Sequence, residues 1–245
     1  MLYLIGLGLN EKGISLEGLE AVKNCDKVYL ESYTVDFPYS REKLGKILDV
    51  NIEVLGRSSV ESNEIVKEAK DKDLALLIYG SPLVATTHFS LIEDAIEMEV
   101  DYKIINSASV FDSVVESGLQ FYKFGKVASM PAWDEKKNYR PDSFMELVKD
   151  NQAGGSHSLI LCDIGLKFKE ALEQLKKSCE KHNFDIKEKE IVVGQSLGTG
   201  SQKFYYGKIK NLFSLNEKVE NPFCIVIPGN LHHTEKRFLD YISYK

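Results

Sequence analysis

Two glycine-containing loops are the first places where this sequence could bind a ligand. The first, Gly6-Leu-Gly8-Leu-Asn10, follows an apolar strand-like run at the start of the chain. It lacks the third glycine of a dinucleotide-binding motif, and no Gly-Lys-Ser/Thr follows it as in a phosphate-binding loop. Its glycines would let a flat ligand approach the backbone closely. A plain tight turn explains the same residues equally well.

The second loop, residues 80–88, follows the most apolar segment of the chain and leads into a predicted helix. Gly80 and Pro82 fix a turn, while Val84 and Ala85 are too apolar for a solvated loop. Such residues suit a wall against an aromatic or nucleoside ligand. For His88 we favour a helix cap or a packing role over that of a general base.

Residues 194–198 read GQSLG and match the Gly-x-Ser-x-Gly pattern of serine hydrolases, which would make Ser196 an acyl-enzyme nucleophile. That motif must open into a helix, whereas the residues that follow indicate a loop and a strand. The acid of the catalytic triad would have to be Glu217 or Glu220, and its histidine would have to be His232. An esterase is therefore the weaker hypothesis.

Cysteines and histidines lack the spacing of a metal site. The chain has four cysteines, Cys25, Cys162, Cys179 and Cys224. None forms a Cys-x-x-Cys pair, so neither a zinc site nor a disulfide framework is indicated. His232 and His233 are adjacent and should point apart, and no carboxylate at helical spacing completes a ligand set. We expect no metal.

The elements that must position these loops follow a β-α order through the first half of the chain. Periodicity predicts strands at 2–7, 26–30, 52–55, 74–78 and 102–105, and helices at 15–24, 40–49, 61–71, 88–98 and 109–117. This order implies a doubly wound, mostly parallel sheet with helices on both faces. Ligands of such sheets lie beyond the carboxyl ends of strands, which selects the loops after Leu7, Ile78 and Ile105. The amides of the third loop, at residues 106–110, could serve a ligand or a plain N-cap.

From about Phe121 the pattern restarts and predicts a second α/β lobe. We expect strands at 125–130, 158–163, 190–195, 203–209 and 223–228, and helices at 142–151, 166–182 and 232–242. The last three strands are close in sequence, which indicates antiparallel hairpins and a mixed sheet. The chain therefore divides into an N-terminal lobe at 1–121 and a C-terminal lobe at 122–245, with a ligand cleft between them.

Composition excludes several function classes. The 245 residues include 31 Lys and Arg against 37 Asp and Glu, a net charge of −6, which disfavours direct nucleic-acid binding by counterion release. No apolar run approaches the roughly 20 residues that span a bilayer. The opening residues lack the basic flank and cleavage site of a secretion signal. We expect a cytoplasmic protein with no membrane contact.

Five sequence blocks, taken in chain order, form a pattern that extends from end to end. They read MLYLIGLGL at 1–9, VYLESYT at 28–34, PLVATTH at 82–88, GLQFYKFG at 118–125 and PGNLH at 228–232. In this pattern the chain resembles the diphthine synthases, methyltransferases of the tetrapyrrole-methylase-like superfamily. The resemblance implies a homodimer that binds S-adenosylmethionine in the interlobe cleft. The implied reaction is methylation of the amine on the modified histidine of translation elongation factor 2, which forms the diphthine intermediate of diphthamide biosynthesis.

By motif position, the resemblance also implies a set of cofactor contacts. They are Leu9, Ser81, Val84, Ser109, Val110, Cys162, Leu197 and His232. Leu9, Val84 and Leu197 would form apolar walls, and Ser109 with nearby amides would supply directional hydrogen bonds. The cofactor carries a sulfonium and no phosphate, which accords with glycine loops that lack a lysine. No catalytic residue is assigned.

The sequence departs from the family pattern at several of these positions. Ser81 replaces the aspartate of a usual Gly-Asp-Pro, which removes a carboxylate that would favour a cationic ligand. Asn106-Ser107 replaces a usual His-Asn, and Cys162 and Leu197 replace other small or apolar residues. We expect retained cofactor binding in an altered pocket. A non-catalytic S-adenosylmethionine-binding homologue and a small-molecule methyltransferase are the alternatives.

Overall fold

The computed structural model describes residues 1–216 and 218–243 and divides into two compact units, Met1–Asp112 and Ser113–Lys245. Residues 113–121, which the sequence pattern assigns to the first lobe, thus belong to the second unit. The reason lies in their contacts, since the backbone N–H of Gln120 donates to Glu235 at 2.9 Å. No helix of the described residues is long and apolar enough to cross a membrane.

The first unit is built around a parallel sheet. Its elements are β1 (Leu2–Gly6), α1 (Leu16–Asn24), β2 (Lys27–Glu31), α2 (Arg41–Leu48), β3 (Glu53–Leu55), α3 (Arg57–Val60), α4 (Glu64–Glu68), β4 (Leu74–Ile78), α5 (Phe89–Glu97), β5 (Tyr102–Ile105) and the start of α6 (Val110–Val114). The strand order is β3-β2-β4-β1-β5, and every pair is parallel. The predicted doubly wound, mostly parallel sheet is confirmed, and all of its described strand pairs are parallel.

Both faces of this sheet are covered, as the doubly wound prediction requires. All five residues of β4 are buried, which is typical of a central parallel strand between two helical layers. Leu76 packs in one cluster with Leu91 of α5, while Leu77 packs in another with Leu44 of α2. Alternate residues of one strand therefore serve two separate cores.

Two predicted helices are shorter or more broken than expected. Within the segment at 61–71 only α4 forms, and a separate short helix, α3, precedes it, because the hydroxyl of Ser62 donates to Ser59 O and competes with helix hydrogen bonding between the two. The segment at 109–117 forms α6 followed by a 3₁₀ turn. It ends at Gly118, whose φ of 90° lies in the left-handed region.

The second unit contains the predicted mixed sheet. Its elements are β6 (Ala128–Met130), α7 (Phe144–Ala153), β7 (Ser158–Cys162), α8 (Phe168–Lys181), β8 (Glu190–Gln195), β9 (Lys203–Lys208), α9 (Ile209–Leu212), β10 (Phe223–Ile227) and α10 (His233–Tyr241). The order is β6-β7-β10-β8-β9, in which only β6 and β7 pair in parallel. Val148 of α7 and Leu172 of α8 pack in one core with Ile225 of β10.

Candidate functional site

Three loops of the first unit meet at the carboxyl ends of neighbouring strands. The loops after β1 and β4 form an isolated antiparallel bridge, in which Gly8 N donates to Gly80 O at 3.0 Å and Gly80 N donates to Gly8 O at 2.9 Å. A Cβ at Gly6 would lie 2.7 Å from Gly80 O. The glycines therefore allow two loops of the protein itself to approach each other, which favours the turn interpretation of the first motif.

Ser81 links the loop after β4 to the loop after β5. Its hydroxyl donates to Asn106 Oδ1 at 3.3 Å and accepts from Ser107 N at 3.4 Å. The hydroxyl of Ser107 in turn donates to Gly13 O at 2.8 Å. Ser81 is buried, so this residue acts as a tie between loops, and its single donor is already used.

Leu9 and Val84 lie on the same two loops but differ in exposure. Leu9 is buried, and its carbonyl accepts from the hydroxyl of Tyr79 at 3.0 Å. Val84 is half-buried, and its N–H donates to Ser81 O in a tight turn. Burial raises the pKa of Tyr79, which keeps its phenol a donor. Of this apolar pair, Val84 offers the more accessible side chain.

Ser109 begins α6 as the predicted N-cap. Its N–H and its hydroxyl both donate to Asp112 Oδ2, at 2.6 and 3.0 Å, and its hydroxyl accepts from Phe111 N at 3.3 Å. The neighbouring Val110 is half-buried. The N–H and hydroxyl of Ser109, which the sequence suggested for a ligand, are thus already hydrogen-bonded within the cap. The apolar side chain of Val110 remains partly exposed.

The three second-unit residues of the implied set do not all lie together. Cys162 ends β7, and Leu197 follows β8 by two residues. Because β10 runs antiparallel to both, Cys224 at its start pairs with Leu161, while Ile227 at its end pairs with Ser158. His232 comes after that far end of β10. The far end lies about 13 Å along the strands from Cys162. The ladder therefore groups Cys162 with Leu197 and separates His232 from both.

The Gly-x-Ser-x-Gly segment lacks the geometry of a hydrolase. Ser196 has a left-handed φ of 47°, but the chain continues through a turn into β9, in a hairpin with β8. Across residues 1–216 and 218–243, Ser196 makes no hydrogen bond to a histidine; Glu217, one proposed acid, lies outside the described residues. The segment is a hairpin turn, closed by Gly198 N donating to Gln202 Oε1.

The prediction that His232 and His233 point apart is wrong. Their ring centroids lie 4.0 Å apart with planes tilted by 45°, because His232 is the N-cap of α10 and turns its ring toward Thr234. Its Nδ1 lies 2.8 Å from Thr234 Oγ1. Among the described residues, no group of three or more histidine, cysteine, aspartate or glutamate side chains could hold a metal ion.

A buried carboxylate that sequence reasoning missed organises the loop before α10. Glu235 accepts hydrogen bonds from Gln120 N, His232 N, Lys123 Nζ and His157 Nε2. Burial alone would raise the pKa of Glu235, but these donors lower it to about 2. The signal in the sequence was the glutamate three residues after His232, which completes a capping box.

A second missed group lies at the carboxyl end of β2, beside β4. Glu31 is fully buried and accepts from Tyr33 N at 3.2 Å and Thr34 N at 3.3 Å. The Tyr33 ring lies 6.0 Å from the His88 ring, edge to face, and its hydroxyl is 3.5 Å from Thr87 Oγ1. Burial raises the pKa of Glu31 and lowers that of His88 to about 4. His88 makes no side-chain cap, so its packing role is the one observed.

The first unit can therefore present, at one sheet end, half-buried apolar side chains beside polar groups. The exposed residues Asn106 and Ala108 lie between the buried Ser81 and Ser109 ties. Such a surface suits an uncharged or cationic organic ligand and lacks the features of a phosphate site. The described residues here offer no activated nucleophile.

Comparisons with known proteins agree with this site chemistry. The model of the tetrapyrrole (corrin/porphyrin) methylases matches residues 1–212. The chain is 37% identical over 255 residues to a diphthine synthase of Methanococcus maripaludis, with 99% of this chain and 98% of that protein covered. It is 42% identical over 170 residues to a diphthine methyl ester synthase of Schizosaccharomyces pombe, with 68% of this chain and 59% of that protein covered. A crystal structure of a diphthine synthase superposes with a TM-score of 0.88 at 29% identity, covering 99% of this chain and 95% of that one.

Proposed function

This chain belongs to the tetrapyrrole (corrin/porphyrin) methylase family and within it to the diphthine synthases, and on that premise we propose that it methylates the modified histidine of translation elongation factor 2. The observation that carries the proposal is the 37% identity to a diphthine synthase over 99% of the chain. The chain is a methyltransferase. Its acceptor is the amine of the aminocarboxypropyl group on that histidine.

We assign S-adenosylmethionine as the methyl donor, and it supplies an activated methyl group when bound. The first-unit residues fit such a ligand, since Val84 and Val110 offer half-buried apolar surface and no phosphate-binding loop is present. That surface would be supported by three buried residues beneath it, Leu9, Ser81 and Ser109. In the second unit, the strand ladder supports Cys162 and Leu197 as a pair and gives His232 no such support.

The reaction requires positioning more than acid–base or covalent chemistry. Each transfer forms one N–C bond and breaks one C–S bond, and the amine must release a proton to water before it attacks. The protein side chains exclude water and align the amine with the methyl group. A reaction that depends on positioning agrees with a sheet end that carries no activated nucleophile.

The direct test combines the purified chain, labelled S-adenosylmethionine and elongation factor 2 that carries the aminocarboxypropyl histidine. We expect label on the factor, and none on a factor with unmodified histidine. No label, while a competent diphthine synthase labels the same preparation, would reject the activity. Transfer to a free small molecule without the factor would instead identify a small-molecule methyltransferase.

The same assay resolves a chemical difference between the two named relatives, of which one is called a methyl ester synthase. Product mass counts the added methyl groups. Mild alkali removes a methyl ester and leaves methylated amines intact. The alkali-labile fraction therefore reports esterification.

We further propose that the enzyme is a cytoplasmic homodimer that contacts neither membrane nor nucleic acid. Support for an interface comes from exposed aromatic side chains of the second unit, Phe121, Tyr122, Phe238 and Tyr241. Exposed clusters of large apolar side chains are typical of association surfaces. Sedimentation of the purified chain should give twice the mass of one chain, 27.7 kDa. A monomer at micromolar concentration would contradict the dimer.

A further inference from the structure

The loop after β4 has two sides that face different neighbours. Gly80 and Ser81 bond to the loops after β1 and β5, as described above. Thr87 and His88 instead approach Tyr33, in the loop after β2. The strand order β2-β4-β1-β5 imposes this division. Of the cofactor contacts implied for this unit, Leu9, Ser81, Ser109 and Val110 lie on the β1 and β5 side. Val84 lies in the turn between the two sides, and no contact is implied for Tyr33, Thr87 or His88 on the β2 side.

The β2 side holds buried polar atoms without partners. His88 is 1% exposed, and neither of its ring nitrogens has a hydrogen-bond partner in the described part of the chain. The hydroxyl of Thr86 is likewise buried and without a partner there. An unsatisfied buried donor or acceptor costs about 1–3 kcal/mol, so native proteins retain few of them without a reason.

The turn that carries these groups is strained. Leu83 and Ala85 have φ values of 65° and 55°, in the left-handed region that side-chain-bearing residues avoid. Strain of this kind persists where function requires it and is released when the turn changes conformation. A change of conformation at this turn would therefore release strain.

Arg57 supplies a charge beside the same group. Its guanidinium carbon lies 5.3 Å from the centroid of the Tyr33 ring, and its Nε lies 3.4 Å from Glu61 Oε1. Within the described residues, the two terminal nitrogens of Arg57 have no partner, and 66% of the side chain is exposed. A guanidinium with two free N–H groups matches the geometry of a carboxylate.

We propose that the β2 side of this sheet end is the subsite for the methyl acceptor, where Arg57 binds the carboxylate of the aminocarboxypropyl group and His88 accepts a hydrogen bond from its amine once the turn at Leu83–Ala85 moves. Tyr33 lies beside both groups, and Glu31 accepts a hydrogen bond from its backbone N–H. This inference rests on the proposed function. His88 orients the amine and takes no proton, since burial lowers its pKa to about 4 and makes it a weak base.

The test measures steady-state methylation of the modified elongation factor by Arg57→Gln, Arg57→Lys and a matched control, Arg41→Gln. Arg41 is also an exposed arginine, paired with Glu42 on α2. We expect Arg57→Gln to raise KM for the factor at least tenfold, Arg57→Lys to recover part of that loss, and Arg41→Gln to match wild type. The Kd for S-adenosylmethionine should not change. A wild-type KM in Arg57→Gln would overturn the subsite.

His88→Leu tests the second half of the inference. A packing role predicts unchanged or higher stability and unchanged kcat, because the leucine leaves no polar group unsatisfied. The subsite predicts at least a tenfold lower kcat with unchanged cofactor Kd. A wild-type kcat would reject the role of His88, and if His88→Leu fails to fold, the Arg57 series decides alone.

These outcomes separate the subsite from the function on which it rests. If wild type transfers no label to the factor, the proposed function fails. If wild type methylates the factor and Arg57→Gln and His88→Leu do so with unchanged constants, only the subsite fails.

Discussion

His157 and Glu235 are both fully buried, and Nε2 of the histidine lies 3.0 Å from Oε1 of the glutamate. Nδ1 of His157 accepts a hydrogen bond from Gly229 N at 2.9 Å, so the proton of the neutral ring must be on Nε2. Burial lowers the pKa of His157 and keeps the ring neutral. The pair therefore fixes the Gly229 turn and the start of α10 with one carboxylate.

Replacing Glu235 by Gln should destabilise the second unit strongly. The amide removes the charge that Lys123 faces and places N–H donors against other donors. A buried ionic group that loses its partner costs about 3–5 kcal/mol. Urea unfolding measures this loss. Asp240→Asn removes an exposed carboxylate of the same helix, paired with Lys236, and should cost under about 1 kcal/mol. Equal effects of the two variants would contradict the buried network.

Acidification should destabilise the protein in a window set by His88. Its folded pKa of about 4 is below the unfolded value of 6.5, so the unfolded state binds more protons as the pH falls. The contribution of His88 to the free energy of unfolding is fully present above pH 6.5 and is lost as the pH falls toward 4. The loss reaches about 3 kcal/mol.

Thermal unfolding of wild type and His88→Leu from pH 7.5 to 4 checks this window. The variant should lose less stability across it, while His157, whose pKa is also lowered, contributes equally to both proteins. Parallel curves for the two proteins would show that His88 is not buried in its neutral form.

Gly8→Ala should destabilise the first unit. Gly8 has a φ of 67°, and a Cβ there would lie 3.0 Å from Gly13 Cα and from Ser107 Oγ. Left-handed strain and crowding together predict a loss of about 1–3 kcal/mol. Gly200→Ala is the control, because a Cβ there meets nothing within 4 Å. Its urea midpoint should match wild type, and a Gly8→Ala midpoint equal to it would refute the close packing of Gly8 against Gly13 and Ser107.

Ser81→Asp should strengthen binding of the cationic cofactor. The new carboxylate can accept from Ser107 N as the hydroxyl does now, and it adds a negative charge that would favour a cationic ligand. We expect roughly a tenfold lower Kd for S-adenosylmethionine by calorimetry, about 1.4 kcal/mol. Ser40→Asp adds the same charge and keeps the N-cap of α2, so its Kd should stay at the wild-type value. Weaker binding by Ser81→Asp would show that the serine tie matters more than the charge.

Much of the architecture was predictable because its signals are local. Hydrophobic periodicity correctly placed the ten strands and most of the helices of the described residues, and the continuous burial of β4 followed from its apolar run. Ser15 caps α1 by accepting a hydrogen bond from Gly18 N, a role that a serine immediately before a helix commonly has. The strand-end rule then directed attention to the loops after β1, β4 and β5, which do meet.

The tertiary structure decided which atoms of these loops bond to one another. Gly8 contacts Gly80 and Ser81 contacts Asn106, pairings that no local pattern specifies. The separation of His232 from Cys162 follows from the antiparallel direction of β10. Local sequence determines which element forms, because backbone propensity and side-chain periodicity act within a few residues. Partner, direction and burial depend on the packing of distant segments, and so only the folded chain defines them.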